Sequence, residues 1–96
     1  MKVYISGPIT RTSDYMERFN DAQNYLESKG FTVINPALVN SNLPKGTTWE
    51  EYMRVSLVLL EQCDAIYQLK GWEQSRGACV EKRHAERLGL KIIEEI

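Results

Sequence analysis

The chain is predicted to be an α/β domain on a four-stranded parallel sheet, and three features of the sequence carry that prediction. Four short strand-like runs alternate with three segments of helical periodicity, the pattern left by strand–helix–strand units. Right-handed crossovers from each strand to the next give the order 2-1-3-4 with helices on both faces, a three-layer Rossmann- or flavodoxin-like arrangement. With 96 residues and no repeat or low-complexity tract, one core and one domain over residues 1–96 is all the chain can build.

The first strand is Lys2 to Ser6, ended by Gly7 and Pro8. From Ser13 or Asp14 to Lys29, apolar residues recur at Met16, Phe19, Ala22 and Leu26, a helical stripe that Gly30 closes. Phe31 to Ile34 reads as the second strand, stopped by Asn35 and Pro36. Asn35 to Thr47 holds Pro36, Pro44 and Gly46 among several Asn and Ser, so it is expected to be the one long loop, functional or mobile at that length. Thr48-Trp49-Glu50-Glu51 has the spacing of a capping box and starts the second helix. Its stripe runs Trp49, Met53, Ser56, Leu60 and Cys63, which sets the Ser56 hydroxyl in the middle of an apolar face. Ala65 to Leu69 follows as strand three and Lys70 to Gln74 as a short loop. Ser75 caps a third helix from Arg76 to Leu88, Gly89 ends it, and Leu90 to Ile93 is strand four. That helix is expected to bury Ala78, Ala85 and Leu88, and Glu81 shares their stripe.

Composition narrows the function classes. Twelve Lys and Arg against thirteen Asp and Glu give a formal charge of -1, which argues against a nucleic-acid polymer as partner and for a small ligand. The apolar run Val55 to Leu60 falls far short of the roughly 20 residues of a membrane helix. The amino end runs directly into a strand pattern without an apolar leader, so a cytoplasmic location and no membrane partner are expected. Cys63 and Cys79 lack the spacing of a zinc site or a disulfide framework and read as reduced thiols. A shallow crevice in so small a domain, with exposed Trp or Tyr candidates, points to a homo-oligomer.

In a sheet of order 2-1-3-4 the topological switch lies between strands one and three, and ligands bind there, outside the carboxyl ends of the strands. The sequence delivers Ser6-Gly7-Pro8-Ile9-Thr10, Asn35-Pro36 and the run from Gly71 to Glu81 to that edge. Glu81 is the sharpest candidate: a carboxylate on the apolar side of a helix costs several kcal/mol unless it is hydrogen-bonded, paired or facing a cavity. It is either a nucleophile or base, or a glutamate swung to the helix rim beside Lys82 or Arg83. Ser75-Arg76-Gly77-Ala78 offers free N–H groups at a helix start, as anion sites do and as ordinary caps also do. Asp64 can hold a ribose hydroxyl but more often serves as a turn residue, and Trp49, Trp72 and Tyr67 can stack on a base although aromatic residues at such spacing are usually core or rim packing. His84, off the stripe, is expected to face solvent.

Tyr4-Ile5-Ser6-Gly7-Pro8-Ile9-Thr10, Asn35-Pro36, Thr48 to Met53, Cys63-Asp64-Ala65-Ile66 and the run from Gly71 to Ala78 with Glu81 resemble the DUF4406-type branch of the nucleoside 2-deoxyribosyltransferase-like superfamily. The most specific part is the Ser-x-Gly-Ala-x-x-Glu run from Ser75 to Glu81. The resemblance implies an enzyme that cleaves the N-glycosidic bond of a small nucleoside or nucleotide, by transfer or hydrolysis, with no metal and no cofactor. It implies Glu81 as an ionised nucleophile and Tyr4 as the tyrosine that orients it. Ser6, Gly7 and Pro8, with Ser75, Arg76, Gly77 and Asn35, are implied to bind phosphate or sugar. Ser56, eight residues before Asp64, stands where active members carry an aspartate that handles the proton of the leaving base. Many active relatives also continue beyond the position of Ile96, which on this reading leaves a wall of the site to a neighbouring subunit. A non-catalytic nucleotide-binding module is therefore the alternative.

Overall fold

The computed structural model describes residues 1–9 and 13–96, so Thr10 of the first turn motif lies outside the described residues. Four parallel strands, β1 (Lys2–Ser6), β2 (Thr32–Ile34), β3 (Ala65–Gln68) and β4 (Lys91–Glu94), form one sheet of order β2-β1-β3-β4. The helices are α1 (Tyr15–Ser28), α2 (Pro36–Ser41), α3 (Trp49–Leu60) and α4 (Arg76–Leu88). The predicted fold class and strand order are those observed.

Period-two alternation divides the sheet into two apolar faces. Val3, Ile5, Ala65, Tyr67 and Leu69 pack with Phe19, Ala22 and Leu26 of α1, while Tyr4 and Ile66 pack on the other side with Leu60, Cys63 and Ala85. β1 therefore carries Tyr4, and two residues later Ser6, on the face covered by α3 and α4. This alternation brings both hydroxyls under one helix. The capping box at α3 forms as expected: Thr48 Oγ1 accepts from the Glu51 N–H at 3.1 Å, and Glu51 Oε1 accepts from the Thr48 N–H at 2.8 Å.

Three expectations are corrected. The stretch expected as one long loop contains α2, because Asn35 caps it through Oδ1, accepting from the Ala37 N–H at 3.1 Å, and Pro36 occupies the first helical position. An Asn-Pro pair that stops a strand can start a helix with the same chemistry. The short loop before α4 contains a 3-10 turn, Trp72–Gln74. Leu88 is 45% exposed rather than buried; α4 ends on it, and Leu90 and Ile92 of the returning chain fill the core beside Ala85. Asp64 sits at the amino edge of the sheet, where Oδ2 accepts from the Lys2 N–H at 2.9 Å, far along β3 from the carboxyl edge.

At the carboxyl edge the chain leaves β1 through Gly7, and Leu69 donates its N–H to the Ser6 carbonyl at 2.8 Å. A Cβ on Gly7 would lie 2.8 Å from Leu69 Cβ, so only glycine lets the two strand ends close on each other. Gly7→Ala is expected to lower stability by about 1–3 kcal/mol through this overlap, read as a reduced urea midpoint; an unshifted midpoint would show that the strand ends yield freely.

Candidate active site

Three elements converge on Glu81. Ser75 caps α4, its Oγ accepting from the Ala78 N–H at 3.2 Å, which fixes the phase of the helix. Ala78, Glu81 and Ala85 then fall on one buried stripe. Glu81 is only 7% exposed. Its Oε2 accepts from the Tyr4 phenol, and its Oε1 accepts from Ser6 Oγ at 2.6 Å. Both carboxylate oxygens are thus held from the strand below. The rim-facing alternative for Glu81 is not what the chain adopts.

Burial raises the pKa of Glu81 to about 7, and the hydrogen bonds from Ser6 and Tyr4 oppose that rise only in part. The expectation of a fully ionised carboxylate is corrected accordingly: near neutral pH protonated and ionised forms coexist, because a charge taken out of water is disfavoured even when two donors face it. Burial, and next the charge of Glu81, push the Tyr4 phenol well above its ordinary value, so it stays a neutral donor. Ser56, 2% exposed on α3, hydrogen-bonds the same phenol and works in the opposite direction.

Glu81 opens on a cleft of about 780 Å³ at the carboxyl edge of the sheet. Gly7, Pro8, Ser56, Ser75, Arg76 and Gly77 line it with Glu81, so these expected residues share one cleft. Tyr4 and Ser6 are not part of its wall and reach it through Glu81. Asn35 is not part of the wall either: its Oδ1 caps α2, and its Nδ2 donates to Asn20 Oδ1 at 3.1 Å and Gln23 Oε1 at 3.0 Å. Gly77 brings α4 against α3, since a Cβ there would sit 3.3 Å from Met53 Sδ.

The charge of the cleft is uneven. Among the described residues that line it, Glu81 is the one carboxylate, opposed by Lys45, Arg76 and the amino end of α4. Arg76 stacks on Trp49, its guanidinium carbon 4.0 Å from the ring centroid. Lys45 and Asn40 are wall residues that sequence reasoning did not single out; both lie in the stretch read as loop, and neither breaks a periodic pattern. Tyr67 packs in the α1 face of the core, and Trp72 donates to Glu94 Oε1 at 3.4 Å outside the cleft. His84 Nε2 meets Glu61 Oε2 at 2.8 Å, tying α4 to the end of α3. No group of three or more His, Cys, Asp or Glu side chains gathers among the described residues, and no helix among them is long and apolar enough to cross a membrane.

A carboxyl whose pKa is raised on folding stabilises the fold below its unfolded value, and that contribution is lost as pH rises through the folded value. The unfolding free energy is expected to fall by about 2–3 kcal/mol between pH 5 and pH 8 from Glu81 alone, and Glu81→Gln should remove that slope. Denaturant titrations across this window test it; equal slopes in both proteins would mean that burial does not hold the proton on Glu81.

Among solved structures, a 2-deoxyribosyltransferase from Bacillus psychrosaccharolyticus matches with a TM-score of 0.78 and 16% identity, over 98% of this chain and 71% of that one. The CMP N-glycosidase BcmB of Clostridium botulinum matches with a TM-score of 0.67 and 21% identity, over 98% and 67%. A 2-deoxyribosyltransferase from Leishmania mexicana matches with a TM-score of 0.73 and 19% identity, over 97% of this chain and 62% of that one, so the chain spans less than two thirds of its length. These likenesses establish a shared flavodoxin-like fold. No curated protein matches the sequence. The family model described as a domain of unknown function, DUF4406, matches residues 1–94, and the chain belongs to that family.

Proposed function

We propose that the protein cleaves the N-glycosidic bond of a small nucleoside or nucleotide, with Glu81 as the nucleophile. The observation that carries this reading is the buried carboxylate with both oxygens held by Tyr4 and Ser6, open to a cleft whose other charged wall groups are cations. A carboxylate fixed below a sugar is what an oxocarbenium-like transition state needs: it stabilises the positive charge growing at C1′ and then bonds to it. Tyr4 and Ser6 keep the carboxylate from rotating away, acting as positioning residues. Ser75, the first-turn N–H groups of α4, Arg76 and Lys45 suit a 5′-phosphate or sugar hydroxyls. Proteins sharing this fold, a 2-deoxyribosyltransferase and a CMP N-glycosidase, carry out reactions of this class.

Ser56 favours a second reading. A hydroxyl in the cleft wall beside Tyr4 is no general acid near neutral pH, so a module that binds nucleotides without turning them over is the alternative.

Incubation with deoxynucleoside 5′-monophosphates is expected to release free base. kcat/KM should rise with pH to a plateau above about 7, as Glu81 ionises, and Glu81→Gln should abolish release. A profile that falls through the same range would assign the active form to protonated Glu81 and overturn the nucleophile. For the binding module, nucleotides raise Tm without base release and Ser75→Ala removes the shift; saturation at 100 times Kd is worth about 2.7 kcal/mol.

A further inference from the structure

We propose that the cleft acts on N-glycosides whose base departs without taking a proton from the protein, the fullest fit being a pyridinium N-linked to a 5′-phosphorylated sugar. The proposal rests on the reading of Glu81 as nucleophile and adds to it the chemistry of the leaving group.

Breaking the C1′–N bond sends its electron pair onto the base nitrogen. A neutral purine or pyrimidine then leaves as an anion unless a positioned acid supplies a proton, a contribution of about 10²–10⁴ in rate. Among the described residues the wall holds one carboxyl group, Glu81, and both its oxygens are engaged from below by Tyr4 and Ser6. A nucleophile attacks C1′ from the face opposite the departing base, so Glu81 cannot also protonate that base. Ser56 presents a hydroxyl, and the Tyr4 phenol is fully buried and donates its hydrogen bond to Glu81. Among the described residues the remaining proton-bearing side chains of the wall are phenols, hydroxyls, amides, the Trp49 indole, Lys45 and Arg76, classes that are weak acids near neutral pH. Residues 10–12 are Thr, Arg and Thr, and the chain's one histidine, His84, pairs with Glu61 away from the cleft.

A base that carries its own positive charge needs no such acid. A Glu81 oxygen forms its bond to C1′, the C1′–N bond breaks, and the pair returns to the ring nitrogen, which leaves as a neutral pyridine. The carboxylate and the pyridinium thus become a neutral ester and a neutral base with no proton moved. Water then attacks C1′, Glu81 departs as carboxylate, and the water's proton goes to solvent. The aromatic wall of Tyr15, Phe19 and Tyr52 suits a flat cationic ring, and Lys45 and Arg76 suit the phosphate.

The test is release of base by the wild-type protein from nicotinamide mononucleotide, UMP, CMP and AMP, which share one phosphorylated sugar. Nicotinamide release is expected to exceed CMP and AMP release by about 100-fold or more in kcat/KM, and Glu81→Gln should lose all of it. Neutral bases released as fast as nicotinamide, in a reaction still lost with Glu81→Gln, overturn this proposal and leave the nucleophile standing. Release that persists in Glu81→Gln overturns the nucleophile, and no release from any of the four overturns this proposal while the nucleophile is decided by the deoxynucleotide assay.

Discussion

The carboxylate of Glu81, buried over the sheet and gripped by two hydroxyls from β1, is the constraint around which the rest of the site is arranged. A buried charge without donors is costly enough to be avoided by protonation or by moving to the surface. Here the strand supplies the donors. Tyr4 and Ser6 are two residues apart and so share a face, and β1 is a central strand flanked by β2 and β3. Neither hydroxyl can drift while the ladders hold.

The same geometry explains why the cleft lies where it does. The crossover through α1 leaves β1 toward one edge of the sheet, and the path through α3 returns over β1 to β3 on the opposite face. The ends of β1 and β3 therefore diverge into helices on different sides, leaving a crevice between them. α4 enters that crevice with its amino end because Ser75 caps it there, and Gly77 permits contact with Met53 of α3. One helix delivers both the anion-favouring end and, two turns inward, the carboxylate.

Much of this was legible because polar residues broke apolar periodicity. Ser56 and Glu81 interrupt the stripes of α3 and α4, and both prove buried at the site. The capping signals at Thr48 and Ser75 fixed helix starts because a cap is local chemistry. What stayed hidden is relational. Asn35 and Pro36 carry signals for a strand end and for a helix start, and only packing decides that α2 forms. Leu88 has the periodicity of a core residue, but the helix ends there and Leu90 and Ile92 fill the space. Lys45 looks like any loop lysine until the fold brings it to the cleft. The protonation of Glu81 was misjudged because the sequence shows the residue but not how completely water is removed from it, and that removal outweighs the two donors.

The burial that makes ionised Glu81 unfavourable in the folded chain is also what would serve the proposed function. A carboxylate screened by water interacts weakly with charge a few ångströms away, whereas one in a dry, low-dielectric wall interacts strongly. In the proposed reaction its poor solvation is compensated as positive charge grows at C1′, and least so before the glycosidic bond begins to break. A difference of that kind lowers a barrier rather than merely tightening binding. Tyr4 and Ser6 set the balance: stronger donors would make the carboxylate comfortable alone and a weaker nucleophile, while their loss would leave it protonated or mobile. A Tyr4 phenol held firmly neutral by burial donates one hydrogen bond and takes no charge itself, so when Glu81 ionises the negative charge stays on its carboxylate, where the proposed reaction requires it.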